Sequence, residues 1–98
     1  MAAVMHKRKV EVVTKLINQL DTDSTNADEE CQNVASVLID LIASDCFGII
    51  SRRLTIQRLA EFAFNPERGF EHSRLAAQTV LERLFQKLND KKKASHSI

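Results

Sequence analysis

Leu54 to Phe70 reads LTIQRLAEFAFNPERGF, a short amphipathic segment that runs into the only proline of the chain and one of its two glycines. Ile56, Leu59, Ala60 and Ala63 recur at the three- and four-residue steps that align on one side of a helix. The spacing predicts a helix from Thr55 to about Phe64, with the Thr55 hydroxyl placed to cap its first turn. Asn65-Pro66 ends it, because the proline ring disfavours helical backbone at the residue before it. Pro66 to Gly69 is then a built corner, in a chain otherwise poor in breakers.

The same periodicity extends in both directions from this corner. Val10, Val13, Leu16, Ile17 and Leu20 predict a first helix over Val4 to Leu20. The polar run DTDSTNAD, Asp21 to Asp28, interrupts it, and Asn26 is a candidate cap for a second helix from about Ala27 to Ala43. There Cys31, Val34, Val37, Leu38, Leu41 and Ile42 share a face, while Asp28, Glu29 and Glu30 sit at the positive end of the helix dipole. SDCFGIISRR, Ser44 to Arg53, reads as a tight connection with a glycine stop signal at Gly48. A fourth helix is expected from near Glu71 to about Asn89, burying Leu75, Ala76, Val80, Leu84, Phe85 and Leu88.

No strand pattern emerges, so the fold class is all-α, a small bundle of about four helices with short connections. A length of 98 residues allows one domain, placed at residues 1–90, with residues 91–98 as a flexible basic tail. Cys31 and Cys46 lack any metal-ligand spacing and read as reduced thiols of a cytoplasmic or nuclear protein. No apolar run has the length of a membrane span, and the first residues lack the apolar core of a secretory signal.

A net charge of +1 conceals three blocks of different sign. Residues 1–20 balance at +3, residues 21–50 at −7 with no Lys or Arg, and residues 51–98 at +5. Such blocks either attract one another inside the fold or present one sign to a partner.

Chemistry-bearing motifs are lacking. His6, His72 and His96 stand at no ligand spacing to one another or to cysteine, and there is no phosphate-binding glycine loop or nucleophile elbow. The sequence calls for no catalytic residue, metal or cofactor, and predicts a protein that is not an enzyme. Binding is the remaining class. Arg52, Arg53, Arg58, Arg68 and Arg74 gather around the corner, an arrangement that suits either a protein interface or, as the alternative, a small helix-turn-helix nucleic-acid binder.

Leu54-Thr55-Ile56-Gln57-Arg58-Leu59-Ala60-Glu61, followed by Pro66-Glu67-Arg68 and Phe70, resembles the core motif of the protein phosphatase 4 regulatory subunit 2 family, over about residues 34 to 88. Arg53 and Leu54 stand where that family tends to carry a proline and an aromatic. The resemblance implies a noncatalytic regulatory or adaptor subunit that associates with a serine/threonine phosphatase catalytic subunit and a scaffold, in nucleus and cytoplasm. Within the motif Ile56, Leu59 and Ala63 are core positions, and Pro66 and Gly69 set the corner. Gln57, Arg58, Glu61, Glu67 and Arg68 are the candidate partner-binding residues, with Arg58 and Arg68 as the expected anchors.

Overall fold

The computed structural model describes residues 2–67 and 70–96, with side chains over residues 5–67 and 70–92. Five helices follow in order: α1 (Ala2–Asn18), α2 (Ala27–Ile42), α3 (Phe47–Ile50), α4 (Arg53–Phe64) and α5 (Glu71–His96). The architecture is an all-α bundle in which α5 lies between α2 and α4 and packs most closely on both. Alanines make that approach possible. Ala35 on α2 and Ala76 and Ala77 on α5 are all buried, and such short side chains let helix axes come close.

α1 buries Val13 and Ile17 along the expected stripe, and Leu20, just past its end, continues it. Its chain then turns through Leu20 and Asp21, whose amides bond the carbonyls of Ile17 and Asn18. Asn26 does precede α2, but its side chain makes no capping bond. Instead its backbone carbonyl accepts the Glu30 amide at 2.9 Å, while three acids in the first turn meet the helix dipole. At the far end of α2 the orphan carbonyls are taken up by the amides of Ala43 and Ser44 and by two side chains. The Ser44 hydroxyl donates to the Leu41 carbonyl at 2.7 Å, and the Lys87 ammonium donates to that of Ile42 at 2.6 Å.

The expected tight connection contains a single helical turn, α3, which buries Ile49 and Ile50. Gly48 lies inside this turn rather than stopping a helix, and a Cβ there would meet nothing within 4 Å. α4 starts two residues ahead of Thr55, after Arg52 in extended backbone. The Thr55 hydroxyl does not cap it, because it donates to the Ile49 carbonyl at 3.1 Å and so ties α4 to α3. Asn65 is extended, as a residue before proline must be, and its side-chain oxygen accepts the Glu67 amide at 3.1 Å. Of the predicted corner, Arg68 and Gly69 lie outside the described residues.

Three expected core residues are exposed: Val37, Leu75 and Phe85. Close packing through the alanines centres the buried face of α5 on Ala77, Val80, Leu81 and Leu84, which turns Leu75 and Phe85 onto its shoulders. Phe62 takes a core place on α4 beside Leu59 and Ala63, where Ile56 and Ala60 are only partly buried. α5 also continues past the expected end near Asn89. Phe47 of α3 anchors this extension, since the ammonium groups of Lys87 and Lys91, one turn apart, sit 4.6 and 4.4 Å from its ring centroid.

Candidate protein-binding face

α4 turns Leu59, Phe62 and Ala63 inward, and the opposite side must therefore carry Leu54, Gln57, Arg58, Glu61 and Phe64. Leu54, Gln57, Glu61 and Phe64 follow at steps of three and four, so they form one outward line with Arg58 beside it. Gln57, Arg58 and Glu61, three of the predicted binding residues, thus share a face. What the sequence reading missed are the two ends of that line. Leu54 is 79% exposed and Phe64 68% exposed, one at either end of the helix.

α5 adds a third apolar group alongside. The Gln78 amide donates to the carbonyl of Ala63 at 2.9 Å, which fixes the antiparallel register of α4 and α5. Phe85, two turns beyond Gln78 on the same side of α5, is therefore on the α4-facing shoulder and comes level with Ile56. It is 48% exposed. Spacing could have found Phe64, because it lies off the inward stripe of its helix. Phe85 could not be found that way, since apolar residues cover more than half the circumference of α5.

The remaining predicted residues are placed differently. Arg58 reaches across to α1, where its guanidinium donates to the side-chain oxygen of Asn18. Glu67 and Pro66 are exposed on the link beyond the helix. Arg68 is outside the described residues, so the second expected anchor has no structural account. Of the other arginines, Arg52 has its guanidinium 2.8 Å from Nε2 of His6 on α1.

The start of α5 is committed to the fold. The buried Ser73 hydroxyl donates to the Leu20 carbonyl, the same oxygen that accepts the Cys31 thiol at 3.5 Å. Nε2 of His72 lies 2.7 Å from the Thr22 carbonyl, and its ring stacks on Phe70 with centroids 5.2 Å apart. Both cysteines are free and buried. Burial pushes the Cys31 thiol above its usual range, so it packs as a protonated, weakly nucleophilic group.

Lys9 and Asp45 form a salt bridge between α1 and the α2–α3 link. The hydrogen bond from the ammonium raises the Lys9 pKa and lowers that of Asp45. Among the described residues no cluster of His, Cys, Asp and Glu has the makings of a metal site, and no helix is long and apolar enough to cross a membrane. No protein-family model, curated protein or solved structure matches the chain.

Proposed function

We propose that the chain is a noncatalytic adaptor or regulatory subunit that works by protein binding through the outer face of α4. The carrying observation is the pair Leu54 and Phe64, exposed at either end of a line that includes Gln57 and Glu61. Apolar ends supply desolvation, and the polar residues between them, with Arg58 alongside, supply orientation. The resemblance of Leu54 to Glu61 to the phosphatase regulatory motif supports a more specific partner, a serine/threonine phosphatase catalytic subunit with its scaffold, in cytoplasm or nucleus.

The helix-turn-helix alternative has the right order of elements but a less suitable second helix. In such a motif the first residues of the second helix reach base edges. Here His72 and Ser73 are engaged with the loop after α1.

Affinity purification of the full chain with identification of bound proteins tests the proposal. The wild-type chain is expected to retain a phosphatase catalytic subunit, and Leu54→Asp with Phe64→Asp to lose at least about tenfold of it. Equal recovery by the double variant removes the α4 face from the proposal. Absence of any phosphatase subunit removes the specific partner, and salt-sensitive duplex binding reversed by Arg58→Glu puts the nucleic-acid reading first.

A further inference from the structure

α1 and α2 lie antiparallel, with their register fixed near both ends. The Cys31 thiol bonds the Leu20 carbonyl at one end, and Lys9 meets Asp45 at the other. Counting along the helices between these ties puts Leu16 within about a turn of Val37, and Val12 within about a turn of Leu41. The phase of each helix follows from its other contacts. Ala35 and Ile39 of α2 line the groove toward α5, so Val37 and Leu41 fall on the shoulder toward α1. Asn18 ties the opposite shoulder of α1 to α4, which leaves Val12 and Leu16 on the side toward α2.

This seam is apolar and open. Val12 is 51% exposed and Val37 44% exposed, while Leu16 and Leu41 are only partly buried. On its α1 flank stand Arg8 and Lys15, with Glu11 farther round on the Asn18 side, and on its α2 flank Glu29 and Asp40, all exposed. Among the described residues neither Arg8, Lys15 nor Asp40 has an ion-pair partner. Across the face the order is therefore basic, apolar, acidic.

We propose that this face of α1 and α2 is a self-association surface whose occupant is a second copy of the chain, related by a two-fold axis parallel to the helices. A closed dimer needs a self-complementary patch, and charge decides how this one closes. Rotation about an axis parallel to the helices lays each α1 over the α2 of the other copy, joining the apolar seams and setting basic flanks on acidic ones. A two-fold perpendicular to the helices instead sets α1 on α1, with like charges opposed. In the favoured arrangement Asp40 of the second copy comes level with residue 13, between Arg8 and Lys15. Four antiparallel helices then share the interface. Because the seam is narrow, the dimer is a concentration-dependent equilibrium rather than a permanent assembly. Each copy keeps its α4 face on the outside, so the inference stands independently of the α4 proposal.

Sedimentation equilibrium of the full chain over micromolar to millimolar concentrations tests it. A monomer–dimer equilibrium that weakens with added salt is expected. Arg8→Glu with Lys15→Glu should weaken it by at least about tenfold, and adding Asp40→Arg to the same chain should restore it. Val12→Asp should weaken it comparably, with helix content by circular dichroism unchanged, and Leu54→Asp with Phe64→Asp should leave it intact. A chain that stays monomeric throughout, a dimer indifferent to charge reversal, or a triple variant that fails to recover each overturns the proposal.

Discussion

α5 and α1 are both amphipathic helices rich in basic residues, yet the fold holds them by different means. α5 is gripped on two sides, by α2 and by α4, and among its described residues the buried positions are apolar apart from Ser73. Among the described side chains, the buried residues of α1 are Val13 and Ile17, both in its C-terminal half. Its N-terminal half is held by polar pairs, Lys9 with Asp45 and His6 with Arg52. Apolar packing in a double-sided slot carries no charge to titrate or screen, whereas exposed ion pairs respond to pH and salt. One helix is thus the spine of the bundle, and the other is a strap whose grip depends on its surroundings.

A matched pair of substitutions sets this difference at its largest. Val80 on α5 and Val13 on α1 are both fully buried valines. Truncation to alanine costs each about 1.6 kcal/mol of transfer free energy, at about 0.8 kcal/mol per methylene. The remaining cost depends on how far the surroundings can close on the cavity. α5 cannot move toward α2 without leaving α4, so Val80→Ala should cost about 2–3 kcal/mol in denaturant unfolding. α1 has a free outer side and can settle inward, so Val13→Ala should cost about 1.6 kcal/mol, little more than the transfer term. Equal losses would mean that α1 is as firmly seated as α5.

These two regions also show what the sequence makes legible. The stripe of α1 was readable because Val10, Val13 and Ile17 recur at steps of three and four, although Val12 and Met5 lie off it and are exposed. α5 offers apolar residues over a wide arc, and periodicity cannot choose which part of such an arc faces inward. Ala76 and Ala77 make the choice, because they allow close approach to α2, and the choice exposes Leu75 and Phe85. For the same reason Gln57, Arg58 and Glu61 were recoverable as an outward face, while Phe85 beside them was not. The role of Thr55 was hidden by a competitor that no local pattern reveals, the Ile49 carbonyl six residues earlier.

Ser73 joins the two regions and gives an intermediate effect. Its hydroxyl accepts the Phe70 amide at 3.4 Å just ahead of α5 and donates to the Leu20 carbonyl beyond the end of α1. Ser73→Ala leaves that buried carbonyl with only the weak Cys31 thiol donor. The expected loss is about 1 kcal/mol, the scale of one net hydrogen bond. The two regions should also uncouple, with amide exchange in α1 quickening relative to α5. An unchanged exchange pattern would show that the Leu20 carbonyl is not the joint between them.

The Lys9–Asp45 bridge carries the smallest effect and the most specific signature. The folded-state pKa of Asp45 is lowered, so its contribution is complete above the ordinary carboxylate range and is lost as pH falls through the lowered value. The Lys9 pKa is raised, so its contribution is complete below the ordinary lysine value and is lost as pH rises through the raised one. The attachment of the first turns of α1 should therefore form a plateau near neutral pH and weaken at both ends. Carbon chemical shifts of residues 5–9, followed from neutral to acid pH, read this directly. Because other carboxylates titrate over the same range, the decisive comparison is with Lys9→Met, which removes the bridge at every pH. The variant should start from the weakened state at neutral pH and change less on acidification, with the shifts of α5 unaffected in both proteins. If Lys9→Met shows the same acid dependence as the wild type, the strap is held by something other than this pair, and the contrast between the two helices rests on packing alone.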